Sequence, residues 1–311
     1  MLSVLEAAAE ARRNIAGIAI RTPLVRLGER EIYLKLENLQ PIGSFKIRGA
    51  ANAISKIAQV KGLLTASAGN MAQGVAFCAR RRGIRATVIA PDSAPETKLR
   101  AIERLGGRVI KVPFDQWWKA FEERSFPGVD ATFIHAFDDP NVMAGNGTIG
   151  LELIEDLADV DAVVVPWGGG GLACGIAAVV KALRPQVRVY AAEVETGAPL
   201  AASLKAGTAQ VVDYQRSFVD GIGSKMVFPA MLAEAQRLLD GSIVSTLEEV
   251  AFAIRFMAER NRVIAEGAGA CAVAAALSGK AGGGKIVAIV SGGNIDMKKF
   301  CEIVNQDLTP E

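Results

Sequence analysis

Val163-Val164-Val165-Pro166-Trp167-Gly168-Gly169-Gly170-Gly171-Leu172-Ala173 is the stretch on which the reading of the fold turns. From Asp161 to Trp167 the run is almost unbroken in its apolar character, as expected of a strand buried on both faces. Four glycines then remove every side chain where the chain turns, and an Ala-rich helical pattern follows from Ala173 to Leu183. A strand, a glycine turn and a helix open a parallel α/β unit. Bare backbone N–H groups at the start of that helix suit a phosphate. Gly168-x-Gly170-x-x-Ala173 also fits a dinucleotide fingerprint, with Glu193, 20 residues beyond Ala173, standing where a ribose-binding acid belongs. On the motif alone both readings stand.

Outward from this stretch the same alternation continues. Ala-rich helical segments separate strands at Asp161 to Trp167, Val187 to Glu193, Ser242 to Thr246 and Ile286 to Ser291. An earlier block has strands at Leu64 to Ser67, Arg85 to Ala90, Arg108 to Val112 and Ala131 to Ala136. Ser93 and Glu96 make a capping box for one of its helices, with Pro95 in the first turn and Gly106-Gly107 at the end. The strand Ile32 to Glu37 could join either sheet. The fold class is therefore α/β, with two domains that each carry a mostly parallel sheet flanked by helices. No tandem repeat or low-complexity tract interrupts them.

Composition narrows the function. Half of the 311 residues are hydrophobic, and 35 Lys and Arg balance 33 Asp and Glu without long blocks of one sign, so nucleic acid is not an expected partner. The longest apolar runs, such as Asp161 to Trp167 and Ile286 to Val290, fall far short of the roughly 20 residues that span a bilayer, so no membrane association is expected. Glu6, Glu10, Arg12 and Arg13 within an Ala-rich helical pattern do not read as a secretory leader, and a cytoplasmic enzyme is the expectation. Cys78, Cys174, Cys271 and Cys301 are far apart and His135 is the single histidine, which leaves no ordinary zinc site and no Gly-x-Ser-x-Gly elbow for a serine triad. The chemistry must proceed mainly without histidine.

Three further segments carry candidate chemistry. Gly43-Ser44-Phe45-Lys46-Ile47-Arg48-Gly49-Ala50 places Lys46 among apolar neighbours at a helix start, where a neutral, nucleophilic amine is favoured, although a lysine there can equally be a solvated surface residue. Thr65-Ala66-Ser67-Ala68-Gly69-Asn70-Met71-Ala72-Gln73-Gly74 runs from a strand end into a helix reaching Arg82, and its small residues suit a carboxylate; an ordinary N-cap by Asn70 is the alternative. Ser291-Gly292-Gly293-Asn294 closes the last strong strand, where open α/β sheets bind ligands and where Gly-rich turns are also common.

Together the segments resemble the fold-type II pyridoxal-phosphate enzymes (tryptophan synthase β-like), and among them the serine/threonine dehydratase family with its serine racemase relatives. Ser44 to Ala50 is similar to that family's cofactor-lysine motif, Ser67-Ala68-Gly69-Asn70 to its substrate loop and Gly168 to Leu172 to its phosphate loop. Asp138-Asp139-Pro140, Gly145-Asn146-Gly147-Thr148 and Glu266-Gly267-Ala268-Gly269-Ala270 resemble further landmarks in the same order. The resemblance implies pyridoxal 5'-phosphate in a cleft between a large discontinuous domain, residues 1–45 and 146–311, and a small one, residues 46–145. It implies Lys46 as the catalytic, imine-forming lysine, Phe45 behind the ring and Asn70 on the ring hydroxyl. Gly168, Gly169, Gly170, Gly171 and Leu172 would hold the phosphate, and Ser291 would face the pyridine nitrogen. Ser67, Ala68, Gly69, Asn70 and Met71 would bind the amino-acid substrate.

A serine facing the ring nitrogen makes a weaker electron sink than a carboxylate would, which favours β-elimination over transamination. The implied reaction converts a β-hydroxy amino acid such as threonine, serine or a bulkier phenylserine-like analogue to a 2-oxo acid and ammonia. Ala68, where racemase relatives have serine, implies little racemisation. Met71 stands where the family usually has His, which opens the question of substrate and brings Trp117-Trp118 into view as pocket residues, with core or lid packing as the alternative. Glu193 matches the first acid of a divalent-metal site in racemase-like relatives, but Pro199 falls where an Asp is needed, so no metal is expected. The chain ends 20 residues after Ser291, so no C-terminal regulatory domain or end-product control is expected. A homodimer is the family-based expectation. The competing functions are a cysteine synthase-like β-replacement enzyme, a nicotinamide-dependent dehydrogenase and a non-catalytic amino-acid-binding protein.

Overall fold

The computed structural model describes residues 2–59 and 61–305, so both ends of the large domain as drawn from the sequence, residue 1 and residues 306–311, lie outside the described residues. Ten strands follow in chain order: β1 Leu24–Arg26, β2 Ile32–Leu36, β3 Leu63–Ala66, β4 Ala86–Pro91, β5 Gly107–Val112, β6 Thr132–Phe133, β7 Ala162–Pro166, β8 Arg188–Val194, β9 Gly241–Ser245 and β10 Ile286–Val290. They form a six-stranded sheet in the order β1-β2-β10-β7-β8-β9 and a four-stranded sheet in the order β5-β4-β3-β6. All pairings are parallel except β1 with β2.

The apolar continuity of β7 has its cause in this arrangement. Val163 and Val165 pack into one core cluster while Ala162 and Val164 pack into another on the opposite face. A central strand covered by helices on both sides has no position for a polar residue. The early strand β2, which could have joined either sheet, pairs in parallel with β10, Ile286 opposite Ile32 and Val290 opposite Leu36. The large sheet is therefore built from residues on both sides of the small one.

A buried ionic knot fastens the helix Lys46–Ser55 to the large sheet. Arg48, 1% exposed, places Nε and Nη2 2.8 Å from the two Glu37 oxygens and Nη1 2.6 Å from Glu152. Burial opposes the guanidinium charge, but Glu37 and Glu152 outweigh it and raise its pKa. Beside it, Lys35 in β2 is fully buried and pairs with Glu152 at 2.8 Å. Removing one partner from such a cluster strands a buried charge, at a cost of about 3–5 kcal/mol.

Two local expectations are corrected. The capping box of Ser93 and Glu96 does not form: the helix Glu96–Arg104 is preceded by Pro95 in an extended conformation (ψ 132°), without a side-chain cap, and Glu96 pairs with Lys111 instead. An extended Pro95 prevents the helix from starting earlier. The last strand of the small sheet covers only Thr132–Phe133, because the chain then enters a turn held by His135.

Candidate active site

The cleft lies between the carboxyl ends of the two sheets. Phe45, Lys46, Ser67, Gly69, Asn70, Met71, Gly168, Gly169, Gly170, Gly171, Leu172 and Ser291 all line it. Ala68 does not: it packs on the Ala72, Ala76 and Val88 cluster behind the loop.

Lys46 opens its helix, and the residue before it is pinned where Phe45 N–H donates to the Ser291 carbonyl at 2.9 Å. The Lys46 Nζ donates to the Ala136 carbonyl at 2.8 Å and lies 5.0 Å from the Phe45 ring centroid. Burial lowers the amine to about 8, while the charge of Glu266 works in the opposite direction. This lysine is not a solvated surface residue.

The glycine loop is fixed by what packs behind it. A methyl group on Gly169 would overlap the Phe137 ring, one on Gly170 would lie 2.5 Å from Trp167, and one on Gly171 would lie 2.7 Å from the Phe137 carbonyl oxygen. Gly170 also has φ +90°, a backbone that glycine adopts readily. Among the described residues, the N–H groups of Gly168, Gly169 and Gly170 make no hydrogen bond within the protein. They form an open donor cluster at the start of the helix Gly171–Leu183.

Phe137 owes its place to His135. The buried His135 Nδ1 accepts from Asp138 N–H at 2.8 Å and Phe137 N–H at 3.3 Å. Burial, then the charges of Arg124 and Lys46, depress its pKa to about 4, with Asp138 opposing them. Trp117 and Trp118 do not line the cleft; they pack with Phe114 and Phe121, and Trp118 reaches Phe228. Core packing is their role.

On the opposite wall, Asn70 occupies the first turn of the helix Asn70–Arg81 without capping it. Its Nδ2 donates to Glu266 Oε1 at 2.8 Å, and its Oδ1 accepts from Asn294 Nδ2 at 2.8 Å. Ser67 Oγ accepts the Gly69 N–H at 3.2 Å, leaving the hydroxyl proton available to the cleft. Met71 is 2% exposed. Sequence reasoning gave no individual role to Gln73, Lys98, Phe137, Asp220, Glu266 or Asn294, all of which line the cleft. Gln73, Glu266 and Asn294 belong to the sequence segments that carry the candidate chemistry, and an acid preceding a Gly/Ala helix was the available signal for Glu266.

The nicotinamide reading loses its acid here. Both Glu193 oxygens are occupied, Oε1 by Leu200 N–H at 2.8 Å and Oε2 by Ala201 N–H at 2.7 Å and Ser242 at 2.6 Å. It caps the helix Pro199–Ala206 and does not line the cleft.

An open α/β cleft that joins a half-buried amine of lowered pKa to unused N–H donors defines a site for a phosphate-bearing aldehyde cofactor, and the donor set fits pyridoxal 5'-phosphate. The chain belongs to the pyridoxal-phosphate dependent enzymes, whose family pattern matches residues 15–292. It is similar to an L-threonine ammonia-lyase of Thermotoga maritima, 42% identical over 98% of this chain and 79% of that protein. Among solved structures it is similar to maize serine racemase, with a TM-score of 0.90 and 30% identity over 97% of each chain. It is also similar to the processed threonine deaminase isoform 2 of Solanum lycopersicum, with a TM-score of 0.86 and 32% identity over 97% of this chain and 94% of that one. The fold is that of fold-type II enzymes, and the chain is an enzyme that depends on pyridoxal phosphate. No helix among the described residues is long and apolar enough to cross a membrane.

Proposed function

We propose that the protein is an ammonia-lyase that dehydrates and deaminates a β-hydroxy-α-amino acid, L-threonine or L-serine first, to a 2-oxo acid and ammonia. The observation that carries this reading is the Lys46 amine, which lines the cleft with the open glycine loop and is lowered to about 8 by desolvation. An amine of that pKa is neutral often enough near neutral pH to attack a carbonyl and to take a proton from carbon.

Bound pyridoxal phosphate supplies an electron sink for the pair left on the substrate α-carbon. In this reading the N–H groups of Gly168 to Leu172 hold the phosphate, Phe45 backs the ring, Asn70 donates to its hydroxyl and Ser291 offers an uncharged hydroxyl to its nitrogen. Ser67, Gly69 and Asn70 orient the substrate carboxylate, with Met71 packed beneath them. Lys46 Nζ would remove the α-proton, the β-hydroxyl would leave as water once it has gained a proton, which the Lys46 ammonium so formed can supply, and a second water would then release ammonia from the carbon skeleton. Position 68 carries a methyl group that packs behind the loop and supplies no hydroxyl to the cleft, so the reading includes little racemisation. It also divides the chain into residues 46–145 and residues 1–45 with 146–311, and includes a cytoplasmic homodimer.

The test is ammonia and 2-oxo acid release by the cofactor-loaded protein from L-threonine, L-serine and phenylserine, with and without sulfide. Release from at least one of them, unchanged by sulfide, is expected. Products that carry sulfur in place of the hydroxyl would instead show β-replacement.

A further inference from the structure

Among the described residues, Glu266 makes the one carboxylate contact to the Asn70 side chain, and the proposed reaction gives it no role. It precedes the helix Gly267–Leu277, which packs on the large sheet, yet its side chain crosses the cleft to Asn70 in the first turn of the helix that follows β3 of the small sheet. Glu266 is 7% exposed and lines the cleft. Its place is made by glycines: a methyl group on Gly292 would lie 2.6 Å from Glu266 Oε1, and one on Gly221 3.4 Å from it. Burial raises its pKa, the bond from Asn70 opposes this, Asp220 raises it further and Lys98 lowers it.

The orientation of Asn70 follows from its two partners. Asn294 Nδ2 divides its two hydrogens between the Ile42 carbonyl, at 2.9 Å, and Asn70 Oδ1, at 2.8 Å. The Asn70 oxygen must therefore face Asn294, and its nitrogen must face Glu266 Oε1. One N–H goes to Glu266, which leaves a single N–H to point elsewhere. Without an acceptor at position 266 the carboxamide would keep one anchor and could swing.

We infer that Glu266 is a positioning residue: its carboxyl oxygen, reaching across the cleft, fixes the Asn70 carboxamide so that the remaining N–H is presented to the ligand as a donor. This rests on the functional reading above.

The test is a double-mutant cycle on the full-length, cofactor-loaded protein with E266A, E266Q, N70A and N70A/E266A. The two readouts are kcat for ammonia release and the ratio of the near-ultraviolet to the visible absorption band of the bound cofactor. E266A and N70A should each shift the band ratio and lower kcat about tenfold, the size of one well-placed hydrogen bond. The double variant should fall within about twofold of N70A, and E266Q, which keeps an acceptor, within about threefold of wild type. Should E266A not fold, E266M fills a similar volume without an acceptor and carries the same expectation. A wild-type spectrum and kcat in E266A or E266M, or losses that add to those of N70A, would overturn the inference while leaving the enzyme reading intact. Wild-type protein that binds no pyridoxal phosphate would refute the reading and the inference together.

Discussion

The two loops that face each other across the cleft are built on one plan and constrained in opposite ways. Residues 168–171 and 67–69 each leave a parallel strand and enter the N-terminus of a helix. Behind the first loop, Phe137 and Trp167 occupy the space a methyl group at Gly169, Gly170 or Gly171 would need, whereas a methyl group at Gly69 would meet nothing within 4 Å. A loop that must hold an unchanging phosphate can be wedged rigidly from behind. A loop that must receive and release substrate keeps space around it.

The largest effect should come from breaking the rigid side. G171A forces the Phe137 backbone to move, and overpacking of this kind costs about 1–3 kcal/mol. Pyridoxal phosphate titration should show at least about tenfold weaker binding. Unchanged affinity would mean that the wedge does not set the loop.

The open side should respond in KM. S67A removes a hydroxyl available to the substrate carboxylate and should raise KM about tenfold with kcat within about threefold, as for one charge-assisted hydrogen bond. A fall in kcat alone would contradict a carboxylate-binding role.

The support beneath the rigid loop should give a smaller, pH-dependent effect. His135 has a pKa depressed to about 4 from its ordinary 6.5, so its contribution to stability is complete above about pH 6.5 and is lost as the pH falls toward 4. Melting temperature followed across that window should fall more steeply in wild type than in H135Q. Parallel curves would remove His135 from the account.

The smallest change should be G69A, which has room for its methyl group and φ −118°. Cofactor affinity should stay within about twofold of wild type. A loss as large as that of G171A would erase the contrast between the loops.

How much of this was legible in the sequence follows from the range over which each feature acts. The β7 strand, the glycine loop and the helix of Lys46 are local: burial on both faces leaves an unbroken apolar run, and bare backbone leaves four glycines. The bond from Asn70 to Glu266 spans 196 residues and that from Asn294 to Asn70 spans 224, and no spacing rule reports such pairs. Arg48 was visible within its motif, but its clamp on Glu37 and Glu152 depends on sheet order. Ala68 was read with its neighbours as substrate-facing, yet it packs, half-buried, against the Ala72 and Val88 cluster, since adjacent loop residues need not share a face. Ser93 satisfied a capping pattern that Pro95 overrode.

The central claim is that the amine of Lys46 holds the cofactor, and borohydride reduction followed by peptide mass analysis tests it most directly. Wild-type protein loaded with pyridoxal phosphate should show a visible absorption band and, once reduced, carry one pyridoxyl group on the peptide containing Lys46, with none on K46A. A colourless wild-type protein, or a pyridoxyl group on another residue, would contradict it.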